Sequence, residues 1–546
     1  MIRKCGAAVM AAVIMTAADM HVYGAPQNID LFMNTNGDVE FIMNGTGDES
    51  NIYVAVYEED GTLAGVCMDQ VSGVIETDTD KTYNASVYFW NDKMHPAYDS
   101  LSFNNLSLDS FYVTAEKKSL QQNSLLRIDG SVLITADGEE TELEQIDTAD
   151  EDAEPGTKSL YSYLSALGNG NTVLFGQQNP ISHKAGSDKL SDSDIFDVTD
   201  DHPAVFGIDT LSLTGDEYSA YRCNERYGTV FEPTARGNVE AAAYLTNRAI
   251  DGGMIVTLSA HMPNFSLVQT IENAEPESYA KYDFSGYSTN DLSGDTVNEL
   301  LEGGRYNEMF RAYLDMIAEY AEAVEGSVLF RPFHENTGSW FWWGAGFCTE
   351  ETYKELYRYT VSYLRDEKNI HNILYVYSPG SEFTSAAEFE ERYPGDEYVD
   401  IVGFDMYYRN PDGSDAWYTE LEEKIAILDE FAAAHGKVYA LTETGISNDT
   451  AEGDMQTALL KYGNPDTDWF MKTLDIVSES DAAYFMVWSN FGETNGFYTP
   501  YVKKVNSSGT LFGHELIAPF TEFYNDTRSV FAGDQRAALG ALIGME

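Results

Sequence analysis

After residue 158, eight short, continuously apolar runs alternate with longer amphipathic segments. The runs are NTVLFG (171–176), PAVFGID (203–209), GMIVTLS (253–259), SVLFRPF (327–333), NILYVYS (372–378), DIVGFD (400–405), VYALTE (438–443) and YFMVWS (484–489). Between them, residues 307–324 and 350–365 repeat apolar positions at intervals of three and four, which is typical of helices. Continuous apolar runs indicate strands that are buried on both faces. The pattern therefore predicts an α/β fold, a (β/α)8 TIM barrel, over residues 158–532.

A different pattern precedes the barrel. Residues 27–135 consist of short runs such as DVEFIMNG, IYVAVY and NASVYFW, separated by turn residues. This spacing predicts a small all-β, sandwich-like module. Residues 136–157 are crowded with acidic side chains and predict a flexible linker. Residues 533–546 are assigned to a C-terminal tail.

Composition narrows the classes of partner. A hydrophobic fraction of 43% and an aromatic fraction of 13% provide for a large core and argue against general disorder. The 90 acidic and 32 basic residues give a formal charge of -58, which repels nucleic acid and anionic membrane surfaces. A neutral polymer would not be repelled by this charge. A solvated, self-repelling surface is the usual explanation of such a charge and requires no partner.

The first 24 residues predict a secretory signal peptide, because Arg3 and Lys4 precede an alanine-rich apolar run that ends near small residues. The run is too short to cross a bilayer, and no later segment is long and apolar enough. We therefore expect a secreted, extracellular protein. Removal of the signal peptide would leave three cysteines, Cys67, Cys223 and Cys348. The last two fall in loops expected after the second and fourth strands, so a disulfide between them and unpaired, inert thiols both fit the sequence.

Two glutamates stand at the ends of apolar runs. Glu335 follows the fourth run and precedes the aromatic string WFWW at 340–343, and Glu443 ends the seventh run. Strands four and seven lie across the barrel mouth from each other, so both carboxylates are expected to face one site. Cleavage of a glycosidic bond requires one acid that protonates the leaving oxygen and a second carboxylate that attacks or steers water. Indole rings beside them can stack on sugar rings, so the sequence predicts a polysaccharide hydrolase.

The two carboxylates are expected to play different roles. Glu335 is the better candidate for the acid, because apolar surroundings and a nearby negative charge keep a carboxyl protonated near neutral pH. Glu443 must stay ionised, which a nearby arginine favours. Arg331 lies two alternations before Glu335 and can point into the same mouth. A catalytic role for Arg331 and a structural ion pair inside the barrel both remain open.

The chain resembles glycoside hydrolase family 26, a β-mannanase family with catalytic glutamates on strands four and seven. The matching text, within residues 160–531, is FGQQN, PAVFGID, MIVTLSAH, LFRPFHENTGSWFWWG, YVYSPG, VDIVGFDMY, ALTETG and FMVWSN. The resemblance implies that Glu335 is the general acid/base and Glu443 the nucleophile of a retaining double displacement. It also implies a set of residues that shape the subsite around the scissile bond: His261, Arg331, His334, Trp340, Tyr407 and Trp488.

Several of these residues have a second interpretation. His261 could be a structural donor, and Trp488 could cap the barrel core instead of stacking on sugar. At least one of the indoles at 340, 342 and 343 must face inward for packing, and Trp340 is the one expected to contact substrate. Either Tyr407 or Tyr408 could hydrogen-bond the nucleophile, and the adjacent motif favours Tyr407.

The resemblance implies a mannan endo-1,4-β-mannosidase that acts on mannan, glucomannan or galactomannan, which are neutral plant hemicelluloses. We expect a monomer that uses no cofactor and no metal, since no histidine and carboxylate cluster has ligand spacing. The same fold and mechanism acting on mixed-linkage β-1,3-1,4-glucan or xylan is the alternative, and a non-catalytic polysaccharide-binding protein is a third. In the N-terminal module, Tyr53, Tyr57, Tyr88 and Trp90 could form either a sugar-binding face or a core.

Overall fold

The structure is a computed structural model that describes residues 29–33, 38–43, 51–58, 60–69, 72–77, 81–90, 101–106, 125–135, 138–274, 276–292, 296–448, 458–461, 463–505 and 511–543. The chain divides into two compact units. One comprises residues 1–115 and 502–518, and the other comprises residues 116–501 and 519–546. The predicted signal peptide, residues 1–24, lies outside the described residues.

Eight parallel strands close into a barrel in the second unit, which confirms the predicted (β/α)8 fold. The strands are β1 (Val173–Gln178), β2 (Val205–Asp209), β3 (Ile255–Ala260), β4 (Val328–Pro332), β5 (Ile373–Tyr377), β6 (Ile401–Arg409), β7 (Val438–Ser447) and β8 (Ala482–Val487). Strand β1 pairs in parallel with both β2 and β8, and this closes the sheet. Each of the eight apolar runs supplies one strand.

The barrel strands are apolar throughout because both of their faces are packed. Leu174 of β1 points inward and joins a core with Leu329 of β4 and Ile401 of β6. The next residue, Phe175, points outward and packs against Phe470 and Phe523 of the surrounding helices. Successive side chains thus alternate between two buried environments, which removes the polar positions of a half-exposed strand.

Helices surround the barrel. They span Pro155–Gly168, Asp194–Thr199, Thr210–Thr214, Ala220–Tyr227, Ala235–Asp251, Thr296–Leu300, Asn307–Ala323, Glu350–Ser362, Ala386–Glu390, Ala416–His435, Trp469–Ser478, Ile517–Asn525 and Ala532–Ile543. The helices predicted at 307–324 and 350–365 are both present, and a π-helical turn, Tyr363–Glu367, extends the second one.

The flexible linker predicted for residues 136–157 is wrong over the part that the structure describes. Strand Glu140–Glu142 pairs with Val132–Ile134 in a small antiparallel sheet, and a helix already begins at Pro155. Between them, the amide of Ala149 donates to the buried carboxyl of Asp400 at 2.7 Å. The acidic residues misled the prediction because, among those that the structure describes, all except Asp150 occupy exposed positions.

The apolar residues of this segment contact the barrel unit. Leu143 and Ile146 alternate with exposed acidic neighbours and pack against the core, and Leu133, which was assigned to the N-terminal module, belongs to that core. The predicted boundary at residue 135 is therefore too late, since the second compact unit already begins at residue 116.

The predicted C-terminal tail is also wrong for residues 533–543. These residues belong to the helix Ala532–Ile543, whose Ala538 and Leu542 join the barrel core. Its buried Gln535 donates to the carbonyl oxygens of Ala204 and Gly253, both at 2.8 Å. The apolar residues of this short segment show almost no helical periodicity, so its sequence does not distinguish a helix from a tail.

The first compact unit contains two antiparallel sheets, in agreement with the predicted sandwich-like module. One orders Ile29–Met33, Val39–Met43 and Ser72–Ile75, and the other orders Leu63–Asp69, Asn51–Glu58, Tyr83–Trp90 and Leu101–Leu106. Val502–Val505 and Leu511–Gly513 form a further two-stranded sheet. Tyr53 is buried, as its core interpretation requires, whereas the side chain of Trp90 lies outside the described residues.

Two further sequence expectations concern cysteines and membranes. Cys223 and Cys348 form no disulfide with each other, and the Cys348 thiol donates to the carbonyl oxygen of Trp343 at 3.1 Å. The pairing considered for these two residues is therefore wrong. In the part of the chain that the structure describes, none of the helices combines the length and apolar character needed to span a bilayer.

Candidate active site

The first carboxylate of the site lies just beyond the end of β4. Phe333 and Glu335 both adopt left-handed backbone, with φ of 51° each, which is uncommon for residues that carry a Cβ. The turn is fixed on both sides, because the Glu335 amide donates to the carbonyl oxygen of Ser378 at 2.8 Å and the Glu335 carbonyl accepts from Gly338 at 3.1 Å. Such backbone persists where its surroundings enforce it, and it is concentrated at functional sites.

The second carboxylate, Glu443, lies within β7. A register shift between Phe404 and Asp405 in the neighbouring strand β6 sets Asp405 directly beside Glu443. Bulges of this kind re-aim side chains at the rims of barrels. The consequence here is that two acidic side chains from adjacent strands are buried next to each other.

One buried arginine joins these two carboxylates. Arg331 donates through Nη1 to Asp405 at 2.7 Å and through Nη2 to Glu443 at 2.6 Å. Burial opposes the charge of Arg331, but the two carboxylates raise the pKa of the guanidinium, so it stays ionised. Of the two roles left open for Arg331, the structure shows the ion pair, and it shows that this ion pair includes Glu443.

Hydroxyl groups complete the hydrogen bonding around the arginine. Asp405 accepts from Ser378 at 2.9 Å and from Thr442 at 2.8 Å. The hydroxyl of Tyr407 donates to the Glu443 oxygen that does not face Arg331. Tyr408 instead donates to the carbonyl oxygen of Ser414, so Tyr407 is the tyrosine that contacts this carboxylate.

Glu335 has a different electrostatic environment. Burial and the negative charge of Glu443 raise the pKa of Glu335 to about 7, although a hydrogen bond from Trp340 and the charge of Arg331 oppose the rise. The Trp340 indole N–H donates to Glu335 Oε2 at 2.5 Å. Two carboxyls in one site, one paired with arginine and one holding its proton near neutrality, form an acid and a nucleophile or base.

Two histidines line the same mouth with opposite charge preferences. Burial alone would lower the pKa of His261, but Asp209, 2.8 Å from its Nδ1, raises that pKa to about 9. Burial, Arg331 and His261 lower the pKa of His334 well below its usual range. The ring nitrogens Nε2 of the two residues lie 3.3 Å apart, so charged His261 donates to neutral His334.

The indoles divide between packing and the site. Trp342 and Trp343 are buried and donate to the carbonyl oxygens of Met262 at 3.1 Å and His334 at 2.8 Å. Trp340 is 38% exposed beside Glu335. The ring of Trp488, just after β8, lies 5.6 Å from that of His261.

The structure therefore brings the predicted site residues together at the carboxyl ends of the barrel strands. The sequence interpretation missed Asp209 and Ser378, which orient His261 and Asp405. Asp209 and Ser378 are each the last residue of an apolar run, and Ser378 directly follows the strand that its run forms. Glu443 was identified by its position at the end of an apolar run, and the same criterion would have identified Asp209 and Ser378. No group of three or more histidine, cysteine, aspartate or glutamate side chains suited to a metal ion occurs within the described ranges.

Comparison with known proteins gives a consistent picture. The family model "Glycosyl hydrolase family 26" matches residues 149–506. A mannan endo-1,4-beta-mannosidase of Bifidobacterium adolescentis is 34% identical over 399 residues, which cover 71% of this chain. The match covers only 36% of that relative's length.

Two further proteins are similar over most of their own length. A mannan endo-1,4-beta-mannosidase of Bacillus subtilis strain 168 is 28% identical over 367 residues, which cover 62% of this chain and 87% of the relative. The solved catalytic domain of a Bacillus sp. JAMB-750 GH26 endo-beta-1,4-mannanase superposes with a TM-score of 0.61 at 31% identity. That superposition covers 72% of this chain and 96% of the solved one.

Proposed function

The chain belongs to glycosyl hydrolase family 26, and from this premise we propose that it is a retaining endo-β-1,4-mannanase acting on mannan, glucomannan or galactomannan. One observation carries the proposal. Glu443 is paired with buried Arg331, while Glu335 faces it with a pKa of about 7. This is the division between an ionised nucleophile and a protonated acid that hydrolysis with two carboxylates requires.

In the first step, a Glu443 oxygen attacks the anomeric carbon of the sugar. The bond from that carbon to the glycosidic oxygen breaks, and the oxygen takes the proton of Glu335, so the leaving chain departs as an alcohol. A glycosyl ester on Glu443 and a Glu335 carboxylate remain. Arg331 and Tyr407 both donate to Glu443, so they orient the attacking carboxylate.

In the second step, Glu335 acts as a base. Its carboxylate takes a proton from water, the water oxygen attacks the anomeric carbon, and the ester bond to Glu443 breaks. The sugar leaves with its original anomeric configuration, because two inversions cancel. Loss of the Glu443 charge in the ester lowers the pKa of Glu335, since that charge is one cause of its rise, and this suits Glu335 to its role as base.

The aromatic and histidine side chains around the carboxylates provide the sugar contacts in this proposal. Trp340 and Trp488 offer ring faces near Glu335 and His261, and sugar rings stack on such faces. Charged His261 and neutral His334 provide polar contacts for sugar hydroxyls. The names of the mannanase relatives favour β-mannan over mixed-linkage glucan or xylan as the polymer.

Reducing-sugar release from three polymers tests the proposal. The purified chain should release sugar from galactomannan and much less from lichenan or xylan. Products from a series of manno-oligosaccharides should be internal fragments, and NMR should detect the β-anomer first. Release from lichenan or xylan alone would replace mannan with the alternative substrate. Production of a single terminal sugar would contradict endo action.

A matched variant separates catalysis from binding. Glu443→Ala should lower kcat on galactomannan by about 10⁴-fold or more and leave polymer binding nearly intact, because it removes transition-state stabilisation and not ground-state contacts. Equal activity in the variant would mean that the assignment of the nucleophile is wrong. Binding without turnover in the wild-type chain would identify a non-catalytic polysaccharide-binding protein.

We also propose that the protein is secreted and acts as a monomer. The sequence of residues 1–24, with basic residues before an alanine-rich run, supports export. Determination of the N-terminal residue of protein recovered from culture medium tests this, and recovery of the full chain only from cell lysate would contradict it. Light scattering would test the oligomeric state.

A further inference from the structure

A buried polar network joins the segments that follow β1 and β8. Its centre is Asp194, which is 1% exposed. Asp194 accepts from the amides of Ala185 at 2.6 Å and Gly186 at 3.0 Å, both in the segment after β1. It also accepts from the side-chain amide of Asn490, which lies after β8, at 2.8 Å. One carboxylate thus connects two segments at the mouth of the barrel.

Asn490 uses both ends of its amide. Its oxygen accepts from the backbone amides of Tyr498 at 2.7 Å and Thr499 at 3.1 Å. Its nitrogen donates to the Thr499 hydroxyl at 2.9 Å as well as to Asp194. Gln177 of β1 donates to the same hydroxyl at 3.1 Å. Because these partners are buried, the position of Tyr498 is fixed by hydrogen bonds that water does not replace.

The Tyr498 ring packs against Tyr407, the residue that donates to Glu443. Its centroid lies 5.9 Å from that of Tyr407 at an interplanar angle of 64°. It also covers Gly445, where an added Cβ would lie 2.5 Å from Tyr498 Cδ1. Gly445 is two residues after Glu443, and its φ of 149° suits glycine best. The ring is therefore seated against both the residue that donates to Glu443 and the strand that carries Glu443.

We propose that Asp194 and Asn490 are positioning residues for hydrolysis, which seat the Tyr498 ring against Tyr407 and so hold the Tyr407 hydroxyl on Glu443. The inference rests on the proposed role of Glu443 as the nucleophile. Outer partners that fix the orientation of a catalytic group contribute to rate, because small displacements of reacting groups are costly. Neither positioning residue touches the reacting atoms.

Asn490→Ala tests the inference by releasing Tyr498. We expect kcat on manno-oligosaccharides to fall about 10- to 100-fold with a small change in KM. This fall should be measured at a temperature at which circular dichroism shows the variant to be fully folded, so that a loss of folded molecules does not account for it.

Asp400→Asn is the matched control. Asp400 is also fully buried and accepts two backbone amide bonds, from Ala149 and Tyr375, but it precedes β6 at the opposite end of the barrel. This variant should lower the melting temperature while kcat stays unchanged. If Asn490→Ala likewise changes only the melting temperature, the network is merely structural and the inference is wrong.

Two variants of Tyr498 cover the case in which Asn490→Ala does not fold. Tyr498→Phe keeps the ring and should retain kcat within about twofold, whereas Tyr498→Ala should reproduce the loss of kcat. Equal activity in both would overturn the inference. Glu443→Ala separates failure of the proposed function from failure of this inference. If Glu443→Ala stays active, the proposed nucleophile is wrong. If Glu443→Ala is inactive while Tyr498→Ala keeps full activity, only the positioning role is wrong.

Discussion

The two ends of the barrel both bury carboxylates, but they satisfy them differently. At the amino ends of the strands, Asp400 accepts from the backbone amides of Ala149 and Tyr375, both at 2.7 Å. Burial raises the pKa of Asp400 to about 6. At the carboxyl ends, Glu443 is held by the side chains of Arg331 and Tyr407, and a second carboxyl faces it.

The comparison teaches that a buried carboxyl with a raised pKa does not by itself indicate a catalytic site. Asp400 meets both criteria, yet its partners are fixed peptide groups that connect one segment to another. The pair of Glu335 and Glu443 differs because the charge of Glu443 raises the pKa of Glu335 and because the partners of Glu443 are side chains and not peptide groups. Four predictions test whether this difference separates structure from catalysis.

Glu335→Ala should have the largest effect on turnover. Loss of a general acid lowers kcat/KM on mannan by about 10²–10⁴-fold. A substrate with an activated aryl leaving group needs little protonation, so the first step on that substrate should lose much less. Stopped-flow and steady-state assays on both substrates measure the difference. Equal losses on the two substrates would contradict the role of Glu335 as acid.

Arg331→Leu should be the most destabilising change at the carboxyl ends. It leaves Asp405 and Glu443 buried without their cation, which costs about 3–5 kcal/mol in the free energy of unfolding. Chemical denaturation checks this value. The control is Arg311→Leu, which removes a half-exposed ion pair with Glu367 and should cost less than about 1 kcal/mol. Similar losses in the two variants would show that the buried ion pair is not special.

Asp400→Asn should separate stability from catalysis at the amino ends. It places an amide donor against a backbone N–H, so it should lower the free energy of unfolding by about 1–3 kcal/mol. Because the site lies at the other end of the strands, kcat should not change. Thermal melting and oligosaccharide assays test the two parts. A lower kcat at full folding would mean that the two ends are coupled.

Trp340→Phe should have the smallest effect. The acid is active only when protonated, so kcat/KM of the wild type should fall as pH rises through about 7, the pKa of Glu335. The Trp340 hydrogen bond lowers that pKa, so its removal should raise the pKa and move the alkaline limb to higher pH. A full pH profile measures the shift. A limb that moves to lower pH would contradict this account of Glu335.

The failures of prediction at the amino ends have one physical origin. The acidic content of residues 136–157 indicated a linker. The structure shows instead that Leu143 and Ile146 pack against the barrel core and that the Ala149 amide donates to Asp400. A few well-placed apolar contacts outweigh many solvated charges, and their partners lie far away in the chain. Local composition does not reveal such partners.

The amino-acid sequence by itself determined the eight strands and the two glutamates at or just beyond the ends of two apolar runs, because a strand buried on both faces leaves a continuous apolar run whose end is visible. Only the tertiary structure decided that Arg331 is shared by Asp405 and Glu443 and that Tyr407, not Tyr408, donates to Glu443. These facts depend on strand register and on distances between residues remote in the chain. A register shift of one residue reverses which side chains face the site.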